Sequence, residues 1–369
     1  MKKVLFLIHD LCGGGAEKIL VNTVNHLDRK KFEVHVISLF GGGVNEKSLA
    51  SHIHYKSIFK KSFPGNSKIV KILSPVLLHK LIIKENYDIE VAFLEGSISK
   101  IISGCTDSNT KTVSWIHTDQ RNYKGAIGYF RNEEEAKRCY EQFDSIVCVS
   151  ETVKNRFRKN FPTAKNPIVL YNVLETDKIK ALSVIKPDMA FTKTEINIVT
   201  IGKIAKSKGV DRLARITVHL REAGYLVHTY AIGTGKDKKE IEDYIAANNA
   251  QDFFTFLNYQ TNPYQFLARC DLYVCASLQE GFSTAATEAI ILGIPVCTVE
   301  VSGMKELLGS NNEWGVITDN DEEALYNGIE NLISAPEKLQ YYKKQAESRS
   351  KDFSTEKTIG EVERFLLSL

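Results

Sequence analysis

The chain has 369 residues, 43% hydrophobic and 25% charged, which is typical of a globular protein and long enough for two domains. No apolar run approaches the roughly 18 to 20 residues that a membrane-spanning helix requires. Seven cysteines, an odd number without a C-x-x-C pair, speak against a disulfide framework and against a zinc site, and predict a reducing, cytoplasmic location.

The net charge of +3 conceals an uneven distribution. Residues 1–185 contain 28 Lys and Arg against 19 Asp and Glu, whereas residues 186–369 contain 20 against 26. This uneven charge distribution predicts that the N-terminal half binds an anionic partner. Nucleic acid is not the predicted partner, because no aromatic residues are interleaved with the basic ones as in nucleic-acid-binding motifs.

Strand and helix patterns alternate from the first residue. The apolar run KKVLFLIH predicts a buried strand, AEKILVNTVNHL predicts a helix with one apolar face, and FEVHVISLF predicts the next strand. Such a βαβ unit implies a parallel sheet. Further strands in the N-terminal half are predicted for IEVAFL, KTVSWIH, SIVCVS and PIVLYN.

Residues 59–87 combine lysines with apolar residues at helical spacing. The pattern predicts a basic amphipathic helix that is broken near Pro75. Two interpretations stay open: the helix lies on a membrane surface, or it packs on the core and keeps a solvated lysine face. The residues concerned are Lys60, Lys61, Lys68, Lys71, Lys80 and Lys84, with Ile69, Ile72, Leu73, Val76, Leu77, Leu81 and Ile82.

The polar segment 174–194 predicts a linker, and the alternation of strands and helices starts again after it. The strands predicted there are INIVTIG, VHTYAIG, FFTFLN, LYVCAS and PVCTVE, and two helices are the last predicted elements. The sequence therefore predicts two successive doubly wound α/β domains, with a cleft between the carboxyl ends of their sheets.

Glycine-rich loops follow several of the predicted strands. In LCGGGAEK, Gly14 and Gly15 let backbone N–H groups approach an anion at a helix N-terminus, and the alternative is a tight turn without a ligand. AIGTGK places Gly233 and Gly235 at the equivalent point of the second domain. These loops lie at the sheet edge where α/β proteins bind their ligands.

The loop IGKIAKSKG, between a predicted strand and a predicted helix, contains Lys203, Lys206 and Lys208. Lysines at a helix start suit a diphosphate, because they add point charges to the backbone donors. The alternative is a solvated basic loop.

In LQEGFSTAATEAIILGIPV, Glu280 and Glu288 flank a run of small and hydroxylated residues. Ser283 or Thr284 can cap the helix that starts there, and the alanines leave the first-turn amides unobstructed. Such a helix end favours an anion or sugar hydroxyls, which the two carboxylates can bind from either side. An exposed helix position is the alternative for Glu288, although its neighbours are apolar.

Two further motifs have competing interpretations. SWIHTDQRNY brings His117, Asp119 and Arg121 to the end of a predicted strand, where His117 would face the predicted cleft, and a functional role is favoured over a structural one. Asp319 and Asp321 form a D-x-D pattern that suits a metal-bound nucleotide, or more simply a helix N-cap. No metal ligands are predicted.

Taken in order, GGGAEK, IGKIAKSKG, AIGTG and the E-x7-E run EGFSTAATE with LGIPV resemble the retaining, nucleotide-sugar-dependent glycosyltransferases of the GT-B fold. SIVCVSETVKNRF and VLYNVLE also match segments of that family. The resemblance covers most of the chain. It implies two Rossmann-like domains: an acceptor-binding domain of residues 1–180 plus 350–369, and a donor-binding domain of residues 181–349.

The resemblance also implies roles for single residues. Glu288 would hold the donor ribose hydroxyls, Glu280 would contact the donor sugar, and Lys208 would neutralise the diphosphate. Lys203 stands where many members have Arg, and His117 resembles the histidine near the transferred sugar. The phosphate and loop contacts would come from Phe282, Ser283, Thr284, Gly14, Gly15, Gly233 and Gly235.

By this resemblance the chain would be a retaining hexosyltransferase that needs neither metal nor cofactor. Its donor would be a nucleotide sugar, UDP-linked, and its acceptor a glycan, with a lipid-diphosphate-linked oligosaccharide as the best candidate. It would act at the cytoplasmic face of the membrane in surface polysaccharide synthesis. The alternatives are a catalytically silent partner of another transferase, against which Glu280, Glu288, Lys208 and His117 speak, and an epimerase or phosphorylase, for which the E-x7-E run is the wrong signature.

Overall fold

The structure is a computed structural model that describes residues 1–369. The chain divides into two compact units: one consists of Met1–Leu174 together with Glu356–Leu369, and the other of Glu175–Thr355. The sequence prediction places the corresponding divisions after residues 180 and 349.

The N-terminal unit is built on seven parallel strands, and helices cover the sheet. The strands are β1 (Lys2–Ile8), β2 (Phe32–Phe40), β3 (His54–Phe59), β4 (Ile89–Ala92), β5 (Lys111–Ile116), β6 (Ser145–Cys148) and β7 (Ile168–Val169). Their order in the sheet is β3-β2-β1-β4-β5-β6-β7. All four side chains of β4 are buried, as in strands covered on both faces, whereas the edge strand β3 has none buried.

The α-helices of this unit within Met1–Leu174 are α1 (Gly15–His26), α2 (Asn66–Ile72), α3 (Pro75–Ile82), α4 (Ser97–Ile102), α5 (Tyr123–Ala126), α6 (Glu133–Glu141) and α7 (Glu151–Asn160). Four of these seven helices, α3, α5, α6 and α7, begin after a Ser or Asn side chain that accepts a hydrogen bond from a first-turn N–H group. The amphipathic segment predicted over 59–87 is two helices, because the Ser74 side chain caps α3 and Pro75 occupies its first turn.

The C-terminal unit contains six parallel strands. They are β8 (Ile196–Ile201), β9 (Val227–Ile232), β10 (Phe254–Asn258), β11 (Leu272–Cys275), β12 (Val296–Val299) and β13 (Val316–Thr318). The order β10-β9-β8-β11-β12-β13 is that of a doubly wound sheet. The two sheets confirm the predicted pair of Rossmann-like domains.

Helices cover this second sheet as well. They are α8 (Thr176–Ser183), α9 (Val210–Glu222), α10 (Lys238–Ala247), α11 (Tyr264–Leu267), α12 (Thr284–Ile291), α13 (Met304–Leu308), α14 (Glu322–Ile333) and α15 (Pro336–Arg349). The division between the two units, after Leu174, falls at the start of the predicted linker 174–194, and helix α8 lies inside that segment. The Asn262 side chain donates to the carbonyl of Leu182 at 3.0 Å and Arg269 donates to that of Ser183 at 2.7 Å, which holds the end of α8 in place.

The last helix, α16 (Thr355–Ser368), belongs from Glu356 onward to the N-terminal unit. Its Glu363 accepts a hydrogen bond from the backbone N–H of Asp28 at 2.8 Å and pairs with Lys31 at 2.7 Å. None of the helices combines the length and the apolar character needed to cross a lipid bilayer.

In each sheet the winding direction reverses next to the first strand of the unit, between β1 and β4 and between β8 and β11. In open α/β sheets this reversal leaves a crevice at the carboxyl ends of the strands, where ligands bind. The loops after these strands are therefore the expected position of a ligand site.

Candidate functional site

The predicted site residues are divided between the two units. Gly14, Gly15 and His117 belong to the N-terminal unit. The C-terminal unit holds the others, which are Lys203, Lys208, Gly233, Gly235, Glu280, Phe282, Ser283, Thr284 and Glu288.

Lys208 and Glu280 meet where the C-terminal sheet reverses its winding. Lys208 Nζ donates to Glu280 Oε1 at 2.6 Å, and Ser277 Oγ donates to the same oxygen at 2.7 Å. The side chain of Lys208 is 34% exposed and that of Glu280 is 13% exposed. The structure thus places a solvent-accessible cation beside a largely shielded carboxylate, a pair that can contact the charged and hydroxylated parts of one ligand. Ser277 was not singled out in the sequence.

The backbone explains how residues 72 positions apart come together. Leu278 N–H donates to the carbonyl of Ser207 at 2.9 Å. Gly209 has a φ of +64°, and a Cβ there would lie 1.9 Å from the carbonyl oxygen of Ala276. Only glycine allows this close approach. The buried Arg212 donates to the same Ala276 carbonyl and fixes the loop that carries Glu280.

Ser283 caps helix α12 by accepting a hydrogen bond from the N–H of Ala286 at 3.3 Å. This decides between the two predicted caps, Ser283 and Thr284. Phe282 is buried and its ring lies 6.1 Å from that of Phe353. The helix therefore begins at the position that the phosphate contact requires, and the contact itself stays a prediction.

Glu288 is buried inside α12, with 3% of the residue exposed. The alternative of an exposed helix position is therefore wrong. Tyr264 on α11 donates its hydroxyl to Glu288 Oε1 at 2.9 Å. A buried carboxylate needs such partners, because removing its charge from water is costly. Tyr264 lies in FLNYQTNPY, but no local pattern links it to Glu288.

Lys203, Gly233 and Gly235 lie in the loops after β8 and β9. Lys203 is exposed. A Cβ on Gly233 would lie 1.9 Å from the carbonyl oxygen of Gly202, and one on Gly235 would lie 2.0 Å from that of Ile204. Both glycines are thus required by the contact between the two loops, and their donor contacts stay predictions.

Gly14 and Gly15 begin helix α1 in the N-terminal unit, with Gly14 as the N-cap. A Cβ on Gly14 would lie 2.0 Å from Glu17 Oε2, so the carboxylate of Glu17 covers this turn. Burial raises the pKa of Glu17. An anion at this helix end would have to displace the Glu17 side chain.

His117 follows β5 and is buried, with 9% of the residue exposed. Its backbone N–H donates to Glu95 Oε2 at 2.9 Å, and its ring centroid lies 4.7 Å from that of Phe93. Burial lowers the pKa of His117 to about 3, so the imidazole is neutral at pH 7. Glu95, in the loop after β4, was not singled out in the sequence, because a single Glu after a strand carries no distinctive signal.

Several buried polar atoms near His117 have no hydrogen-bond partner within the protein. They are His117 Nε2, Trp115 Nε1 and both side-chain polar atoms of Gln120. Buried polar groups in native proteins are nearly always paired with protein, water or ligand. Their concentration within residues 115–120 marks this strand end as the second candidate ligand site.

Two other sequence motifs have a structural explanation. Asp119 pairs with Arg121 at 2.6 Å. Asp321 caps α14 by accepting a hydrogen bond from the N–H of Ala324 at 2.8 Å. The N-cap interpretation of the D-x-D pattern is therefore confirmed.

Helices α2 and α3, together with residues just before and after them, form what we call the basic apolar surface. On α3, Leu78 and Ile82 are buried against the unit. The rest of the surface is exposed and consists of Lys60, Lys61, Lys68, Lys71, Lys80 and Lys84 with Phe59, Ile69, Ile72, Val76, Leu77 and Leu81. The core-facing interpretation is thus correct for one side of α3, and the other side leaves apolar and basic groups together in solvent.

Two family models match the chain. The model described as Glycosyltransferase Family 4 matches residues 13–178, and the model described as Glycosyl transferases group 1 matches residues 184–349. Together the two matches span nearly the whole chain.

Among curated proteins, the chain is 26% identical to N-acetylgalactosamine-N,N'-diacetylbacillosaminyl-diphospho-undecaprenol 4-alpha-N-acetylgalactosaminyltransferase of Campylobacter jejuni, over 100% of both chains. It is 23% identical to GalNAc-alpha-(1->4)-GalNAc-alpha-(1->3)-diNAcBac-PP-undecaprenol alpha-1,4-N-acetyl-D-galactosaminyltransferase of the same organism, over 96% of this chain and 95% of the relative. Among solved structures, HepE of Anabaena in complex with UDP covers 100% of both chains, with 18% identity and a TM-score of 0.77. This last likeness concerns the fold alone.

Proposed function

Since this chain belongs to the group 1 glycosyltransferases with a GT-B fold, we propose that it transfers a sugar from a UDP-sugar to a lipid-diphosphate-linked glycan in surface polysaccharide synthesis. The pairing of Lys208 with Glu280 at 2.6 Å, beside the capped start of α12, is the observation that carries the proposal. It supplies a cation, a helix N-terminus and a carboxylate at one point, which is what a sugar joined to a diphosphate requires.

The chemistry follows from these charges. Glycosyl transfer passes through an oxocarbenium-like state while negative charge grows on the departing diphosphate. Lys208 and the first-turn amides of α12 would stabilise that charge, with Lys203 as a second cation. Glu288 would hold the ribose hydroxyls, and Glu280 the donor sugar. No step in this scheme requires a metal ion or a cofactor.

In the N-terminal unit, the unpartnered polar atoms around His117 would form hydrogen bonds with the transferred sugar and with the acceptor. Neutral His117 can hydrogen-bond a sugar hydroxyl through Nε2 without bringing a charge into a buried site. Gly14 and Gly15 would line the phosphate side, provided that Glu17 moves away.

The two Campylobacter jejuni relatives support the acceptor class and the stereochemistry. Both names specify an undecaprenol-linked acceptor, and both specify an alpha linkage. We propose that the present enzyme likewise uses a polyprenyl-diphosphate-linked glycan and retains the configuration of an α-linked donor. The leaving phosphate would then take the acceptor proton on the face where the new bond forms.

Mass spectrometry of reaction products tests the proposal. The full-length protein is mixed with a panel of nucleotide sugars and an undecaprenyl-diphosphate-linked glycan, with EDTA present in half of the samples. We expect one UDP-sugar to add one sugar to the acceptor, equally with and without EDTA. The anomeric configuration of the product is then read by nuclear magnetic resonance.

Glu288→Gln serves as the control in this assay, because it removes a charge and keeps the size of the side chain. Its product formation should fall by at least about tenfold. If a UDP-sugar binds to the wild type but no donor and acceptor pair gives a product, the protein is a silent member of the fold and the proposal is wrong.

We further propose that the basic apolar surface holds the protein at the cytoplasmic face of the membrane. A basic face and exposed apolar groups are the two requirements of interfacial binding, and each lysine near an anionic surface contributes about 1 kcal/mol.

Changing Lys60, Lys61, Lys68 and Lys80 to glutamine is expected to weaken binding to vesicles that contain anionic lipid by at least about tenfold. Co-sedimentation at increasing salt concentrations measures the binding. The matched control changes the exposed lysines Lys236, Lys239, Lys343 and Lys344 of the C-terminal unit and should bind as the wild type does. Binding by the wild type that does not depend on salt would contradict the proposal.

A further inference from the structure

Three side chains of metal-ligand type converge in the N-terminal unit, outside the candidate sites described above. His79 lies on α3, Glu90 lies on β4, and Cys105 follows α4. One ligand atom from each lies within 4.8 Å of the others. His79 Nε2 is 2.7 Å from Glu90 Oε2, and the side chains of these two residues are 14% and 3% exposed.

We propose that His79, Glu90 and Cys105 bind one Zn²⁺ ion. Imidazole, carboxylate and thiolate are the ligand groups of zinc sites, and around a tetrahedral Zn²⁺ they lie about 3.3 to 3.8 Å apart. The spacing here needs only small side-chain movements to reach that geometry. A set with a thiolate and an imidazole selects against Mg²⁺ and Ca²⁺, which take oxygen ligands.

Glu90 is buried, and a carboxylate removed from water needs a compensating positive charge beside it. In the protein without metal its partner is His79 at 2.7 Å. A Zn²⁺ ion bound by the three side chains would place two positive charges next to this carboxylate. Cys105 is half-buried, so the fourth position of the metal can be filled by water from the solvent side.

A second cluster in the same unit, formed by Glu33, His35 and His54, provides an internal comparison. One ligand atom from each also lies within 4.8 Å of the others. It has no thiolate, and the side chain of Glu33 is 36% exposed, so water already compensates its charge. The rings of His35 and His54 stack at 4.5 Å. Burial and the thiolate therefore distinguish the site at Glu90 from this second cluster.

The metal would connect elements that are distant in sequence. His79 lies on the helix that exposes Val76, Leu77 and Leu81, and Glu90 lies inside the sheet. Zn²⁺ would link this helix to the sheet only in the folded protein, because the unfolded chain does not bring the three ligands together. Binding should therefore raise the melting temperature. This function is structural and separate from sugar transfer, and its test does not depend on enzyme activity.

The experiment uses full-length protein stripped with a chelator and then titrated with Zn²⁺ by calorimetry, with metal content measured after gel filtration. We expect one equivalent per chain and a rise in the melting temperature. Co²⁺ in place of Zn²⁺ should give the intense near-ultraviolet absorption of a thiolate–cobalt bond. Cys105→Ser should lose that absorption, and both Cys105→Ser and His79→Gln should weaken Zn²⁺ binding by at least tenfold.

Two matched controls keep the test specific. His35→Gln alters the second cluster, and Cys12→Ser removes an exposed thiol elsewhere in the unit. Both should bind Zn²⁺ as the wild type does, and circular dichroism checks that every variant is folded. The proposal is wrong if the wild type does not bind one equivalent, if Cys105→Ser binds equally well, or if His35→Gln abolishes binding.

Discussion

Replacing Lys208 by alanine is expected to lower the turnover number by at least about tenfold while the protein stays folded. Lys208 Nζ lies 2.6 Å from Glu280 Oε1, and the side chain of Lys208 is 34% exposed. The ammonium group is therefore held in position and remains accessible to a ligand. Its loss removes a cation that stabilises the leaving diphosphate. It also leaves Glu280 with Ser277 as its hydrogen-bond donor, and an uncompensated carboxylate repels the anionic donor.

Initial rates with saturating donor and acceptor measure this effect, and circular dichroism checks the fold. Lys206→Ala is the matched control, because Lys206 lies in the same loop but pairs at 2.9 Å with Glu240, with 61% of its side chain exposed. Its activity should stay within about twofold of the wild type, as expected for an exposed ion pair. Equal rates for Lys208→Ala and the wild type would remove Lys208 from the site.

The central strands of both sheets could be predicted because a parallel strand covered on both faces is apolar throughout. KKVLFLIH and LYVCAS are such runs, and they form β1 and β11. Strand β3 was missed because it is an edge strand whose six residues are intermediate or exposed, so it has no apolar signal. Strand β13 was missed for a similar reason, since it has only three residues and none is buried.

The sequence could predict only those site residues that are marked by a local pattern, such as their position after a strand. Lys208 and Glu280 were both placed after strands, and the reversal of winding in the sheet then brings them together. The contacts from Tyr264 to Glu288 and from Glu95 to His117 join separate loops, and neither has a sequence pattern. The convergence of His79, Glu90 and Cys105 is of the same kind, because the absence of C-x-x-C pairs says nothing about ligands on different elements.

Replacing Lys100 by methionine is expected to lower the free energy of unfolding by about 3 to 5 kcal/mol. Lys100 on α4 has 0% of its side chain exposed and lies 3.0 Å from Glu135 Oε2, whose side chain is 4% exposed. Its Nζ also donates to the carbonyl of Lys71 at 2.9 Å, at the end of α2. Methionine fills a similar volume but leaves the buried Glu135 carboxylate and the Lys71 carbonyl with fewer donors.

Burial acts to raise the pKa of Glu135, but hydrogen bonds from the Arg131 backbone and from Lys100 outweigh it and hold the pKa below its usual value. Because the pKa is lower in the folded state, this stabilisation is present above the unfolded value and is lost as the pH falls through the folded value. The loss of stability between pH 7 and pH 4, measured by denaturant titration, should therefore be smaller for Glu135→Gln than for the wild type.

Lys137→Met on α6 is the matched control, because it also removes a lysine from an ion pair. The side chains of Lys137 and of its partner Glu133 are 41% and 49% exposed. It should change stability by less than about 1 kcal/mol. The double variant Lys100→Met/Glu135→Gln should recover part of the loss caused by Lys100→Met, since it removes the unpaired carboxylate together with its partner. If Lys100→Met were as harmless as Lys137→Met, Lys100 would not hold α4 to α2 and α6, and the basic apolar surface would need another anchor.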